Sequence, residues 1–499
     1  MIPTFIGAII ALVGLILMVR GSVGALLWLT MICGLFGGSA AFLLPALGGA
    51  SIPPIQFALV LLAARCLLPG SGLHAAVADG LRANALLVVF VLYGVVTAMV
   101  ASRVFAGTVE VVALRLKPAY SLFATTPLAF SPSNITTSVY LVGTLMLSVC
   151  TYVALRDRTR ALTFVNVAVI VGALHVFFGV SAAALKGTPY DLFIAAMRNG
   201  NYAQLDQEIG GLVRLNGIFP EPSSYAGFAF DWFVLLFECW FRNILPRRTG
   251  PVAVALLLVL IFSTSTTAYA TLAVYGVILF LRILLLPQTV PARKGLALAA
   301  AALIALIAIA LLVLLSPEFA AAMWRLLRLL TVEKRDTESG LQRAFWAKIG
   351  VDAFVASWGI GVGPGSFRSS TLITAMIGSV GVFGTVVFVL HVVKLVKPMR
   401  VTTYFGQPWR VGVIADQEAL IGAAASWGVV GVLISTALIA PSCDPGPDFG
   451  IFGGAALALR ALRRPTQAPP AAAIPLADYA HVDLGWPHQL PSGPTRSGV

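Results

Sequence analysis

The sequence predicts an all-α polytopic membrane protein of about 12–13 transmembrane helices, since each crossing needs ~20 mostly apolar residues. Three observations carry this. First, 59% of the 499 residues are apolar and 11% are charged, against roughly 45–50% and about 25% in soluble domains. Second, the apolar residues gather into runs of spanning length, and mean hydropathy is +0.93. Third, Lys and Arg stand beside those runs, where they set orientation. A soluble enzyme, a disordered chain and a fibrous protein are excluded. A single helical bundle accounts for residues 1–464.

The spans are expected at Ile2–Val19, Val23–Leu44, Ile52–Leu68, Ala85–Phe105, Val139–Leu155 and Ala161–Ala182, then Ala226–Ile244, Leu296–Leu315, Leu372–Val393, Ala419–Ala440 and Phe449–Leu462. The first has no basic leader and no convincing cleavage site, so it reads as a span rather than a signal peptide. Val252–Leu281 is too long for one crossing and is interrupted by Ser263-Thr264-Ser265-Thr266-Thr267. Hydroxyls there can bond back to the helix and break it. Arg242, Arg247 and Arg248 precede the run, and Arg282, Arg293 and Lys294 follow it. Basic residues on both flanks make it a hairpin, with its Ser/Thr turn at the outer face; the alternative is one tilted helix.

Parity then places the N-terminus outside and the C-terminus inside, with most of the 33 basic residues on the inner side. Three outer segments remain: 106–138, with Arg115 and Lys117; 183–225, with Lys186, Arg198 and Arg214; and 316–371, with Arg325, Arg328, Lys334, Arg335, Arg343, Lys348 and Arg368. The stretch Met323–Leu330 is amphipathic and fits the interface. Residues 465–499 are rich in Pro and Ala and read as a disordered inner tail. The net charge of +13 is topogenic or meets an anionic substrate, and no nucleic acid partner is expected. The five cysteines form neither a disulfide framework nor a CxxC site. Span interiors read as nearly free of charge, which disfavours a transporter with midplane charges.

Three stretches could carry chemistry. Arg214-Leu-Asn-Gly-Ile-Phe-Pro-Glu-Pro-Ser-Ser-Tyr225 leads into a span, and Pro220 and Pro222 hold Glu221 in a stiff extended backbone. Glu221 is either an acid/base group or the partner of Arg214 in a turn. Arg343-Ala-Phe-Trp346 is followed by Gly361-Val-Gly-Pro-Gly-Ser-Phe-Arg368, where Gly363 and Gly365 permit a backbone whose N–H groups converge on an anion and Arg368 adds charge. The alternative is a flexible turn. In Ser131-Pro-Ser-Asn-Ile-Thr-Thr137, Asn134 opens a glycosylation sequon, but capping of the next helix is the preferred reading. His175 lies in a span and reads as structural. No His, Cys, Asp or Glu cluster has metal spacing, so no metal and no cofactor is expected.

Taken together, Gly217-Ile-Phe-Pro-Glu-Pro-Ser223, the Ser/Thr hairpin, Arg343…Trp346…Gly361–Arg368 and Ser133-Asn134-Ile135-Thr136 resemble the bacterial O-antigen polymerase and ligase superfamily. The likeness is to its exopolysaccharide (Wzy-like) polymerase branch and covers residues 100–440. The resemblance implies a GT-C-like bundle with periplasmic loops in the bacterial inner membrane. It implies a metal-independent glycosyltransferase that uses undecaprenyl diphosphate-linked oligosaccharides, acts at the periplasmic face, and works with membrane lipid, a chain-length regulator and export proteins. Arg214, Arg343 and Arg368 would hold the diphosphate, Gly363, Gly365 and Asn134 would line the substrate site, and Glu221 with Arg214 would be catalytic. Ligases of the superfamily carry a His in the last large loop. None stands between Ser316 and Thr371, which favours a polymerase. A ligase and a lipid-linked oligosaccharide flippase or other transporter are the alternatives.

Overall fold

A computed structural model describes residues 2–44, 50–114, 123–200, 208–209, 212–286, 291–318, 320–321, 324, 328, 338–396 and 417–461. Arg115, Lys117, Arg325, Lys334, Arg335, most of Met323–Leu330 and the tail 465–499 lie outside the described residues.

Helices dominate. The first half holds α1 (Phe5–Arg20), α2 (Val23–Cys33), α3 (Pro54–Leu67), α4 (His74–Ala83), α5 (Ala85–Val104), α6 (Pro132–Leu155), α7 (Arg160–Ala184) and α8 (Tyr190–Met197). The second half holds α9 (Pro222–Phe241), α10 (Pro246–Phe262), α11 (Thr266–Leu285), α12 (Ala292–Leu315), α13 (Glu338–Ala356), α14 (Leu372–Val396), α15 (Gln417–Ile439) and α16 (Pro447–Ala461). Among the described residues, seven helices are long and apolar enough to cross a membrane: α5, α6, α7, α11, α12, α14 and α15. The protein is thus compatible with a polytopic membrane protein, and α1, α2 and α3 are shorter apolar helices.

Strand content is slight. β1 (Ile2–Pro3), β2 (Phe42–Leu44) and β3 (Ala50–Ile52) form an antiparallel sheet, with Leu43 paired to Ile2 and Ser51. Two further pairs are β4 (Glu110–Val111) with β5 (Thr126–Pro127), and β6 (Glu208–Ile209) with β7 (Leu212–Val213).

Helix α9 is the centre of the bundle. It packs against α7, α10, α11 and α15, while α16 packs on α6 and α15. From Tyr225 to Cys239 its side chains are buried without a break, because neighbours surround it on every side. The expected break in Val252–Leu281 is present: α10 and α11 are separate helices joined at Ser263–Ser265.

Two expectations need correction. The run Val23–Leu44 is not one helix. It stops at Cys33, and the glycines after it let the chain turn under the loop before α9, where the Gly38 N–H donates to Ile218 O at 2.9 Å. The bundle interior is also not free of charge. Glu238 is buried between Arg242 and Arg282, accepting from Arg282 Nη1 at 2.7 Å and from Tyr275 OH at 2.9 Å, and Asp231 and Asp448 are buried as well. Arg242 and Arg282 are therefore structural cations besides being flanking charges.

The segment after α13 doubles back beside it and leads into α14. Helix α14 is broken at Gly381, with φ at 59°. The opened turn is filled by the returning segment: Val382 N–H donates to Gly359 O at 2.8 Å, and Val362 and Gly363 N–H donate to Gly378 and Ser379 O at 2.9 Å. Broken helices persist at such depth where protein supplies the missing partners.

Candidate functional site

The loop Arg214–Glu221 is held from below. Asn216 O accepts from Phe219 N–H at 2.8 Å to close a turn. Arg198 Nε donates to Gly217 O at 2.8 Å. Beneath it the His175 ring stacks on Tyr225 with centroids 4.0 Å apart. The Tyr225 hydroxyl donates to His175 O at 3.1 Å. These contacts tie α7 to the first turn of α9. His175 is thus structural, as its place in a span suggests.

Pro222 opens α9, where a missing N–H costs nothing, and Glu221 precedes it as the N-cap with extended φ −152° and ψ 156°. Its carboxylate is half-buried. Oε1 accepts from Ser223 Oγ at 2.7 Å and Ser224 Oγ at 3.1 Å. Oε2 is then the oxygen placed to accept a further proton.

Arg343 comes from α13. Its Nη1 donates to Leu438 O at 3.0 Å, at the end of α15. Its own carbonyl accepts from Ser370 Oγ at 2.7 Å. Arg368 lies on the returning limb, its guanidinium carbon 4.4 Å from the Trp346 ring centroid. Its Nη1 points to Leu114 O at 3.4 Å and its backbone N–H donates to Val112 O at 2.8 Å. Stacking on an aromatic face fixes a planar guanidinium while leaving its edge available.

These groups converge. Burial lowers the pKa of Arg214; Glu221 opposes that shift, and the Arg343 charge adds to it. Arg368 is lowered by burial and feels the same Glu221 and Arg343. Tyr269, in the first turn of α11, also acts on Arg214, which brings the Ser/Thr turn to the same end of the bundle. Three guanidinium groups against one carboxylate leave an excess of positive charge in a partly desolvated place. Such a site suits a multiply charged anion, held by paired N–H bonds.

The two glycines do something different from what their sequence context suggests, while Asn134 caps a helix as its context suggests rather than lining a substrate site. Gly363 and Gly365 have φ of 95° and 82°, and a Cβ would stand 2.4 Å from Thr97 O and 2.3 Å from Ser133 O. Their function is close packing against α5 and α6. The Gly363 N–H is bonded to Ser379 O, not offered to an anion. Asn134 caps α6 through a capping box with Ser131. Its Nδ2 donates to Pro364 O at 2.9 Å and Ser366 Oγ at 2.8 Å. It positions the limb that carries Arg368.

Ser223, Ser224 and Tyr269 have no signal in the sequence that marks them as neighbours of the arginines. Trp346 stands in the Arg343–Trp346 motif, but its stacking against Arg368 has no signal in the sequence. Among the described residues, no group of three His, Cys, Asp or Glu side chains is placed to hold a metal ion.

Comparison of the chain with protein-family models, curated proteins and solved structures finds no match.

Proposed function

We propose that the protein is a polysaccharide polymerase of the bacterial inner membrane. On this reading it is a GT-C-like bundle in which the seven long apolar helices, the shorter α1, α2 and α3, and α9, α10 and α16 make about 13 crossings. It transfers a glycan chain from undecaprenyl diphosphate to a sugar hydroxyl of a lipid-linked repeat, at the periplasmic face. The observation that carries the reading is that Arg214 and Arg368, from distant parts of the chain, each feel the charges of both Glu221 and Arg343.

The chemistry follows from these groups. The acceptor hydroxyl attacks the anomeric carbon of the donor glycan, its proton passes to Glu221, and the bond from that carbon to the diphosphate oxygen breaks. A diphosphate leaving group needs its charge neutralised more than it needs a proton. Arg stays charged and grips phosphate with two parallel N–H bonds. Preorganised charge of this kind is worth on the order of 3 kcal/mol per donor, by analogy with oxyanion holes. A positioned base adds roughly 10²–10⁴ in rate. Membrane lipid surrounds the bundle, and a chain-length regulator and export proteins are the partners this reading calls for.

The buried Glu238–Arg242–Arg282 cluster favours a second reading, a flippase for the same lipid-linked oligosaccharide. One experiment separates the two: purified protein in liposomes with undecaprenyl diphosphate-linked repeat and a chelator, read by product length. A ladder of products supports the polymerase. Unchanged repeat that has crossed the bilayer supports the flippase, and transfer of one glycan to a foreign acceptor supports a ligase.

A further inference from the structure

Glu238 is buried with two arginines, but three other acids of the bundle have no cation. Asp231 on α9 and Asp448 in the first turn of α16 are 6% and 8% exposed, and Asp444 is half-buried on the loop between α15 and α16. Among the described residues, no Lys, Arg or His forms an ion pair with any of them. Asp444 is satisfied by neutral donors, Thr144 Oγ1 at 2.8 Å and Gly446 N–H at 3.2 Å. Asp231 Oδ1 accepts from Ser435 Oγ of α15 at 2.7 Å. Asp448 Oδ1 is buried and accepts from nothing.

Asp231 and Asp448 meet inside the bundle. Trp232, next to Asp231, touches Phe452, one turn after Asp448, with ring centroids 5.2 Å apart. The Asp448 charge acts on Asp231. Trp232 is fully buried; its indole N–H turns toward Asp448 and closes no hydrogen bond. Titratable groups on the surrounding helices are engaged elsewhere. Tyr275 of α11 donates to Glu238, and His175 of α7 bonds Tyr225 O at 3.2 Å. His391 of α14 lies beside Phe449, with ring centroids 6.1 Å apart. Helix α10 holds Arg247 and Arg248 exposed, and α6 presents only the Thr144 hydroxyl, at Asp444.

We propose that Asp231 and Asp448 form a proton-binding site, holding one exchangeable proton between them in an O–H···O bond. Two neighbouring carboxylates without a cation are costly in the interior of a bundle, and close carboxyl pairs relieve this by sharing a proton. The shared proton replaces repulsion with a charge-assisted bond and gives Asp448 Oδ1 its missing partner. The Trp232 N–H then faces the one negative charge that stays. The site also joins helices that carry the arginine cluster. Asp231 is roughly 14 Å along α9 from Pro222, and Ser435 stands one turn before Leu438, whose carbonyl accepts from Arg343 at 3.0 Å. The loop that leads to Asp448 accepts from Ser369 N–H at Pro441 O, 3.0 Å away. Release of the proton sets Asp448 against Asp231, and the strain falls on these links. Proton binding here is independent of which anion the arginines hold.

The test is infrared spectroscopy of the full-length protein in a maltoside detergent, which has no carbonyl group of its own, in H2O and in D2O. Exposed carboxylates are ionised at neutral pH, and Glu238 is tied to two arginines. The wild-type protein should show a protonated-carboxyl band at neutral pH that moves to lower frequency in D2O and vanishes as the pH is raised. Asp231→Asn and, separately, Asp448→Asn should each abolish it, since the remaining carboxylate then faces an amide donor. Asp444→Asn should leave it in place. Ser435→Ala should shift the band without removing it, because one hydrogen bond to the pair is lost, and this variant serves if an Asn variant fails to fold. Absence of a protonated-carboxyl band at neutral pH overturns the proposal, as does a band that survives both Asn variants or is unmoved by Ser435→Ala. A thermal midpoint that sodium chloride raises over choline chloride in the wild type, but not in Asp448→Asn, identifies a sodium site and also overturns it.

Discussion

Glu221 is placed by backbone and held by hydroxyls. Two prolines stiffen its backbone, and Ser223 and Ser224 both donate to Oε1, which leaves Oε2 for the acceptor proton. Glu221→Gln keeps the shape and loses the proton acceptor. Polymer should then fall to single repeats, with donor binding retained through the arginines; product length in the purified system checks this. Full-length polymer from the Gln variant would leave Glu221 only the structural role of holding the first turn of α9 through Ser223 and Ser224. Arg214→Lys keeps a charge but loses the two-pronged contact, and should weaken donor binding where Glu221→Gln does not.

At the scale of elements, the hairpin of α13 and its returning limb brings two of the three arginines together. It depends on glycines that tolerate close backbone contact. Gly363→Ala meets both a φ of 95° and a Cβ 2.4 Å from Thr97 O, so it should lower thermal stability by several degrees and reduce donor binding; an unfolding scan in detergent checks the first. The turn between α10 and α11 tests topology. Ser265 is buried, so a cysteine there would be shielded from either side. Thr264 is half-buried and has φ of 50°. An impermeant maleimide should label Thr264→Cys from the outer face, and Arg293→Cys only after permeabilisation. In α9, Glu238→Ala would leave Arg242 and Arg282 together without their carboxylate. Breaking a buried ion pair this way costs about 3–5 kcal/mol, so the thermal midpoint should fall sharply even though Glu238 lies near the opposite end of α9 from Glu221.

Across the whole molecule, hydropathy marks most of the helices, because a chain that crosses a bilayer must satisfy its backbone internally. The Ser/Thr break between α10 and α11 was legible for the same reason. The early end of α2 was not, because an apolar run does not reveal that glycines turn it under another loop. Asp231 and Glu238 stand in plain view in the α9 run, yet their burial depends on which helices surround α9. At the site, Arg214, Glu221, Arg343 and Arg368 were legible as charged residues between apolar runs, beside proline and glycine. That they act together was expected from the resemblance, but the means was not legible: the doubling back of the chain after α13 and the anchoring of Asn134 on Pro364 and Ser366. The claim on which the account turns is that these arginines together hold a diphosphate. The direct measurement is equilibrium binding of undecaprenyl diphosphate and undecaprenyl monophosphate to the protein in nanodiscs, compared with Arg343→Ala and Arg368→Ala. The account expects a preference for the diphosphate, and a loss of about ten- to a hundredfold for each variant, as for hydrogen bonds to charged groups worth ≈ 1.5–3 kcal/mol. Diphosphate affinity unchanged in both variants would contradict it.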